Sequence, residues 1–207
     1  CHITKGNVHD SQPYIERLEY IKNKFNFRIK ECGIDSGYDT LEIKKYFEDN
    51  NIFGVIAYRR YQQGETTIRK YEFKYNKGND EYVCPRMGII LPYTGRIDKT
   101  GYKWYSSKEN CKGCPYVEEC CKKQGYRIIR RLICEELNEK SRERRLSERG
   151  KEIYKLRKEK VERSFADSKN NHGYRYAMYR GIEKNQNYTW LICAAQNMKN
   201  IAIKKEK

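Results

Sequence analysis

Histidine is scarce in this sequence, with only three among 207 residues. His2 and His9 lie in a predicted turn, and His172 precedes Gly173, a residue type that commonly ends a helix. We therefore expect none of the three to act as a catalytic residue or as a metal ligand.

Long apolar runs are absent as well. No stretch approaches the roughly 20 apolar residues that a membrane-spanning helix needs. The first ten residues, CHITKGNVHD, lack the apolar region of a signal peptide. We therefore expect a cytoplasmic location and no membrane partner. Because the chain does not begin with Met, we also expect it to be a piece of a longer protein.

Acidic residues are few compared with basic ones: 28 Asp and Glu against 44 Lys and Arg, a net charge of +16. Residues 1–60 contain 10 basic and 9 acidic side chains, whereas residues 122–165 contain 16 and 8. A surplus of this kind favours polyanionic partners, because each phosphate that is neutralised releases counterions. The alternative is a solvated helix face with internal salt bridges. We expect nucleic acid as the partner.

The N-terminal part alternates between helical and strand patterns. Apolar residues recur at helical spacing over 12–25, with Asp10 or Ser11 as the predicted N-cap. RIKECGID and IFGVIAY are predicted strands, separated by a helix that Asp39 or Thr40 caps. This order predicts an α/β fold with right-handed crossovers.

The composition changes at residue 59, which divides the chain into predicted regions 1–58, 59–135 and 136–207. The middle region is rich in Tyr, Gly and Cys, and short alternating segments such as YEFKY predict a small inserted β module. The last region is predicted to be helical, with breaks at Gly150 and Gly173. For a final helix over about 185–203 we expect an inner face made of Trp190, Leu191, Ala194, Ala195, Met198 and Ile201.

Most of the nine cysteines are clustered in the middle region. Without a secretion signal, this pattern favours metal binding over disulfides. Cys111, Cys114 and Cys120 form C-x2-C-x5-C, and Cys84 precedes a proline. The predicted Zn²⁺ ligands are Cys84, Cys111, Cys114 and Cys120, with Cys121 as an alternative for the last. Unliganded thiols and an iron–sulfur cluster are the other interpretations.

Two carboxylates are candidates for a second metal site. Asp35 directly follows a predicted buried strand, where it is either a turn residue or a metal ligand at the strand end. Glu162 lies beside an apolar stripe that includes Val161 and Phe165, so we expect it close to the core, although a surface Glu is the simpler interpretation. Lys169 follows about two helical turns later.

Five segments together resemble the catalytic domain of bacterial DDE-type insertion-sequence transposases. They are HITKGNVHDS, IDSGYD, VERSFADSK, HGYRYAMYRG and CAAQNMKNIA, which occur in the order found in that family. The resemblance covers essentially the whole chain. It implies an RNase H-like fold, an enzyme that acts on double-stranded DNA at transposon ends and target, a location at the bacterial nucleoid, and a homodimer as one state of the intact enzyme.

The resemblance also implies roles for particular residues. Asp35 corresponds to the second carboxylate of the Asp-Asp-Glu set and Glu162 to the third. Tyr154, Arg157, Glu162 and Lys169 match a Tyr-Arg-Glu-Lys signature in which Tyr154, Arg157 and Lys169 contact DNA. Four residues separate Arg157 from Glu162, one more than the usual three, which makes Lys158 an alternative to Arg157.

These residue types suit the implied chemistry. Cutting and joining DNA are displacements at phosphorus, which two Mg²⁺ ions roughly 4 Å apart promote. Carboxylates are ligands for Mg²⁺ or Mn²⁺. The first aspartate of the set is expected upstream of HITKGNVHDS, so we expect an RNase H-like fold without its first strands and a chain that is inactive alone. Asp10 is interpreted as a structural cap.

Two other functions fit part of the pattern. A non-catalytic, zinc-containing DNA-binding protein or a transposase remnant explains the charge and the cysteines, but it leaves Asp35 and Glu162 unexplained. An RNase H-like nuclease acting in repair shares the carboxylates but not the complete set of segments.

Overall fold

The computed structural model describes residues 1–58, 68–121 and 124–205. Two compact units are present: unit 1 consists of Cys1–Arg59 and Leu137–Lys207, and unit 2 of Arg60–Glu136. The mixture of helices with parallel and antiparallel strands confirms the α/β class. Among the described helices, none is long and apolar enough to cross a membrane.

Unit 1 combines a short parallel sheet with helices. In chain order its elements are α1 (Tyr14–Phe25), β1 (Glu31–Ile34), α2 (Leu41–Asp49), β2 (Phe53–Ile56), α5 (Glu135–Leu146, which begins at the end of unit 2), α6 (Glu148–Arg157), a π-helical segment (Lys158–Glu162), α7 (Arg163–Asn171) and α8 (Ile182–Lys205). Strands β1 and β2 pair in parallel, with Ile34 opposite Ile56. Helix α2 connects them, as predicted.

The core of this sheet is aliphatic with one aromatic ring. Its buried residues are Ile34, Ile43, Phe47, Ile52 and Ile56. Gly54 of β2 lies directly under the Phe47 ring, and a Cβ at this position would overlap the ring. Thr40 caps α2 by accepting a hydrogen bond from the Ile43 amide at 3.3 Å, which confirms one of the two predicted caps.

The predicted cap of α1 is wrong. This helix begins at Tyr14 after Pro13, and no side chain caps its first amides. Proline suits a helix start because its φ is already close to the helical value. Asp10 and Ser11 precede this start in turns, so neither is the N-cap.

The long C-terminal helical region is divided at Ser147 rather than at Gly150. The Ser147 hydroxyl accepts a hydrogen bond from the Gly150 amide at 3.0 Å and thereby caps α6. Gly150 is needed for a different reason, because a Cβ there would overlap the Arg144 carbonyl oxygen. The predicted end at Gly173 is confirmed: α7 stops at Asn171, and Gly173 has φ +67°.

The predicted inner face of α8 is wrong. The residues buried on this helix are Thr189, Ile192 and Gln196, which follow one another at helical spacing. Trp190 and Leu191 are 55% and 69% exposed, and Met198 and Ile201 are exposed as well. The buried face of α8 is set by hydrogen bonding and not by the most apolar residues, because Gln196 on that face donates a hydrogen bond to α7.

Unit 2 is built on a five-stranded antiparallel sheet in sequential order. Its elements are β3 (Lys74–Asn76), β4 (Glu81–Val83), β5 (Ile90–Ile97), β6 (Tyr102–Ser106), α3 (Lys108–Cys111), α4 (Val117–Cys121) and β7 (Ile128–Leu132). One face of the sheet, with α3 and α4, forms a core of Ile68, Phe73, Tyr82, Leu91, Tyr105, Cys111, Cys120 and Ile129.

Asp80 organises the polar part of this core. Its carboxylate accepts hydrogen bonds from Tyr75 at 2.7 Å and Tyr105 at 2.6 Å, and Lys103 donates to it at 2.8 Å. These donors hold the pKa of Asp80 at about 2, although burial alone acts in the opposite direction. Tyr105 is completely buried, and the hydrogen bond to Asp80 offsets the cost of removing its hydroxyl from water.

Candidate active site

Asp35 lies immediately after β1 and combines the two roles that the sequence leaves open. Its Oδ1 accepts a hydrogen bond from the Gly37 amide at 2.8 Å and caps a 3₁₀ turn over Ser36–Tyr38. Its Oδ2 points elsewhere, 3.5 Å from a guanidinium nitrogen of Arg157. The side chain is 48% exposed, so one oxygen is used by the turn while the other remains accessible.

Helix α6 brings Arg157 to Asp35 by running along β1 in the same direction. At one end Arg149 binds Glu31 through two parallel hydrogen bonds of 2.8 and 2.6 Å. In the middle Gly33 allows close approach, since a Cβ there would lie 3.1 Å from the Ile153 side chain.

The lengths of the two elements match. The eight residues from Arg149 to Arg157 rise about 12 Å in a helix, and the four from Glu31 to Asp35 span about 13 Å in a strand. Helix α6 therefore meets β1 through ion pairs at both ends.

Glu162 reaches the same guanidinium through the π-helical segment. Its Oε1 lies 3.2 Å from Nη1 of Arg157, five positions earlier in the chain. A π-helical turn contains one residue more than an α-helical turn, so positions i and i+5 become neighbours as i and i+4 are in an α-helix. The π segment Lys158–Glu162 absorbs the additional residue between Arg157 and Glu162.

Arg157 therefore lies between the two predicted catalytic carboxylates. Its side chain is only 14% exposed, whereas that of Glu162 is 57% exposed. The expectation that Glu162 lies close to the core is wrong, because Val161 and Phe165 are themselves 39% and 56% exposed. Both carboxylates are at the surface, and each contacts the largely buried guanidinium of Arg157.

Of the other predicted DNA contacts, Tyr154 and Lys158 lie beside Arg157, whereas Lys169 does not. The Tyr154 ring has Arg157 at 5.7 Å and Lys158 at 5.5 Å from its centroid, so both cations contact the same aromatic ring. Lys169 is exposed on α7, two turns after Glu162. Within the described residues, Lys169 makes no hydrogen bond or ion pair with Asp35 or Glu162.

Asp35 also lines an open groove that sequence reasoning missed. The groove has a volume of about 490 Å³ and is lined by residues 6–10 and 35–37, including Asp10. Burial raises the pKa of Tyr38, and the charges of Asp10 and Asp35 raise it further. Asp10 thus belongs to the surroundings of Asp35, and its position in the predicted turn gave no signal of this.

Asp167 fixes the helix that follows Glu162. Its carboxylate accepts hydrogen bonds from Lys199 at 2.6 Å and Gln196 at 3.2 Å, both on α8, and these donors hold the pKa of Asp167 well below its usual range. Gln196 also donates to the Ser164 carbonyl at 2.9 Å. These contacts attach α7 to α8.

In unit 2, five cysteines line one small apolar cavity. They are Cys84, Cys111, Cys114, Cys120 and Cys121, and Arg127 lines it as well. Burial raises the pKa of Cys120 to about 11. Across the described ranges, no group of three or more His, Cys, Asp or Glu side chains has an arrangement able to hold a metal ion. The side chains as placed therefore show neither a zinc site nor a complete magnesium site.

Comparison with known families gives one match. The model of a family described as "Transposase DDE domain" matches residues 83–202, more than half of the chain. The matched range includes the cysteines of unit 2 and Glu162, and it begins after Asp35. No curated protein and no solved structure matches the chain.

Proposed function

Because the chain belongs to the DDE transposase family, we propose that Asp35 and Glu162 are two of its catalytic carboxylates, with Mg²⁺ or Mn²⁺ as the metal. The observation that supports this most is that one guanidinium, that of Arg157, contacts both carboxylates although they are 127 positions apart in the sequence. The proposed reaction is cleavage of transposon ends and their joining to target DNA. The intact enzyme would act on double-stranded DNA at the bacterial nucleoid, as a homodimer.

The donor chemistry of the site fits a hard divalent cation. Asp35 has one oxygen outside the turn that it caps, and Glu162 is exposed, so both offer carboxylate oxygens. When bound, the metal would supply charge neutralisation at the reacting phosphate and at the attacking oxygen. Arg157 would turn away from the carboxylates toward a DNA phosphate, which its planar guanidinium suits.

Tyr154, Lys158 and Lys169 complete the proposed DNA contacts. Lys158 shares the Tyr154 ring with Arg157, so two cations lie next to each other on one helix end. Removing Lys158 or Lys169 would weaken binding similarly for every DNA sequence, as expected for contacts with phosphates.

A third carboxylate is required for the proposed chemistry. Among the described residues, β1 pairs with a strand on one edge only, the edge that faces β2. We propose an RNase H-like arrangement in which a further strand, at the other edge of β1, supplies the first Asp. Without it, this chain would bind metal weakly and would not cleave DNA.

For unit 2 we propose that the cysteines bind one Zn²⁺. The cavity volume of about 20 Å³ accommodates one ion or one water molecule but no organic ligand. Four thiolates, from Cys84, Cys111, Cys114 and either Cys120 or Cys121, would supply the tetrahedral sulfur set that Zn²⁺ prefers. A structural ion would tie together two helices of only four and five residues.

Metal content tests the zinc proposal directly. Purified protein should contain one Zn²⁺ per chain, and Co²⁺ substitution should give thiolate-to-cobalt absorption. Cys111→Ser should abolish both, whereas Cys134→Ser, which changes an exposed cysteine of the same unit, should retain both. A chain that purifies without zinc and takes up no Co²⁺ would refute the zinc site.

A second candidate function follows from Arg157 itself. Arg157 pairs with both carboxylates and offsets part of their negative charge without a metal, which favours a non-catalytic DNA-binding protein. Binding of Mn²⁺, followed by the electron paramagnetic resonance signal of the free ion, separates the two functions. The catalytic proposal expects Asp35→Asn and Glu162→Gln each to weaken Mn²⁺ binding, and Glu159→Gln, an exposed neighbour, to leave it unchanged. Equal Mn²⁺ binding by all four proteins would favour the non-catalytic function.

A further inference from the structure

The five-stranded sheet of unit 2 has one buried face and one exposed face. Side chains alternate along strands, so Tyr105 and Ile129 point into the core whereas Trp104 and Arg130, which are opposite each other on β6 and β7, point outward. On β5, Arg96 lies on the outward side. We name the outward group of Arg96, Tyr102, Trp104 and Arg130 the Trp104 face.

Two arginines stack on the aromatic rings of this face. The Arg96 guanidinium lies 3.9 Å from the Trp104 ring centroid. Arg130 lies 5.5 Å from the same ring and 4.7 Å from that of Tyr102. Stacking fixes the plane of a guanidinium and leaves its N–H groups at the edge available for hydrogen bonds.

Asp98 immobilises the indole that supports the arginines. It accepts a hydrogen bond from Nε1 of Trp104 at 3.2 Å and pairs with Arg130. It also accepts from the Thr100 hydroxyl at 2.6 Å and from the Tyr102 amide at 3.1 Å, which closes the turn between β5 and β6. The indole is therefore held rigidly between strands.

Arg96 differs from Arg130 in having no anionic partner. Within the described residues its guanidinium contacts the Trp104 ring and no carboxylate, and the residue is exposed. An exposed arginine that is ordered by an aromatic ring and not neutralised has its charge and five N–H donors free for an anionic ligand. Its conformational entropy is already reduced before binding, which favours affinity.

We propose that the Trp104 face binds the phosphodiester backbone of DNA, with Arg96 as its main phosphate contact. The inference rests on the proposed function in taking DNA as the substrate, but it concerns a surface in unit 2 and no residue of the carboxylate site. Arg130, on the neighbouring strand β7, contacts the same Trp104 ring and the Tyr102 ring and adds a second cation to this face.

The test is fluorescence anisotropy with a labelled 30-base-pair duplex, measured over a range of salt concentrations. We expect Arg96→Gln to weaken binding about five- to tenfold and to reduce the salt slope by about one, as loss of one phosphate contact does. Lys74→Gln is the matched control, because Lys74 is an exposed cation of the same sheet and stacks on no aromatic ring among the residues that the structure describes. It should change the affinity less than about twofold.

Two further variants separate binding from folding. Trp104→Leu should weaken DNA binding nearly as much as Arg96→Gln, because Arg96 loses its support, and Arg96→Lys should restore only part of the affinity. Equal losses for Arg96→Gln and Lys74→Gln, or no loss for Arg96→Gln, would overturn the inference. Mn²⁺ binding at Asp35 and Glu162 is measured independently, so such a result would leave the proposed function untouched.

Discussion

Asp80 in unit 2 and Asp35 in unit 1 both lie beside a strand and both have a cationic neighbour, yet their oxygens are used differently. Asp80 receives two tyrosine hydroxyls and an ammonium group at 2.6 to 2.8 Å. Asp35 gives one oxygen to a turn, and its other oxygen is 3.5 Å from Arg157. A carboxylate whose two oxygens both accept short hydrogen bonds from a packed core stabilises a fold, whereas one with an oxygen free of short hydrogen bonds at the surface can bind a ligand.

The largest expected effect is therefore loss of stability on changing Asp80. Asp80→Ala leaves the completely buried Tyr105 hydroxyl without its acceptor and should lower the free energy of unfolding of unit 2 by about 2–4 kcal/mol. Guanidinium denaturation followed by Trp104 fluorescence measures this, with Trp190→Phe as the common background. Glu109→Ala, an exposed change in the same unit, is the control.

Asp35→Ala should behave differently in the same background. It removes one turn cap and a long ion pair, so the stability of unit 1, followed by far-ultraviolet circular dichroism, should fall by about 1 kcal/mol or less. A loss at Asp35 as large as that at Asp80 would mean that both carboxylates are structural.

The stabilisation that Asp80 provides should depend on pH in the acid range. The folded pKa of Asp80 is about 2, below its value in an unfolded chain, so its stabilisation is complete above about pH 5 and is lost as the pH falls toward 2. Because the side chain is 32% exposed, solvent screening reduces the expected loss to about 1–2 kcal/mol.

The control for this pH dependence is Asp80→Asn, which cannot titrate. The difference in unfolding free energy between the wild-type protein and this variant should be constant above about pH 5 and shrink below it. A difference that stays constant down to pH 2 would show that Asp80 has an ordinary pKa in the folded state.

Arg157→Gln removes the cation that Asp35 and Glu162 share. The guanidinium competes with any metal for Asp35 and Glu162, so its removal should strengthen Mn²⁺ binding, by about fivefold or roughly 1 kcal/mol. DNA affinity of the same variant should fall. Weaker Mn²⁺ binding would instead indicate that Arg157 holds the two carboxylates in a metal-binding geometry.

Local sequence signals predicted the elements of unit 1 well and the burial of its long helices poorly. Strand ECGI, the Thr40 cap and the stop at Gly173 follow from short-range backbone chemistry, which the sequence shows directly. The inner face of α8 could not be found from hydrophobicity, because Gln196 is buried by hydrogen bonds to Ser164 and Asp167 across two helices.

In the candidate site as well, the long-range contacts could not be predicted from local sequence signals. The sequence shows Asp35 at a strand end, and the family resemblance predicts Glu162 as its partner. That Arg157 contacts both depends on how α6 lies along β1, which pairwise contacts at Glu31 and Gly33 determine. The groove containing Asp10 likewise requires residues 6–10 and 35–37 to meet in space, a long-range property.

The π-helical segment gives the smallest expected effect and the most specific test. Deleting Lys160 should convert Lys158–Glu162 to α-helix and place Glu162 four positions after Arg157, where the two side chains still meet. Stability should change by less than about 1 kcal/mol and Mn²⁺ affinity by less than about threefold, because the direction of α7 is retained.

Deleting Lys155 within α6 is the matched control. Helix α6 is α-helical throughout Glu148–Arg157, so it has no π turn to absorb the change; Arg157 and Glu162 should rotate by about 100° away from Asp35, and Mn²⁺ binding should be lost. If both deletions abolish Mn²⁺ binding, the extra residue is itself required at the site. If neither does, Asp35 and Glu162 do not act together, and the contrast between an open carboxylate pair and the closed network at Asp80 loses its functional meaning.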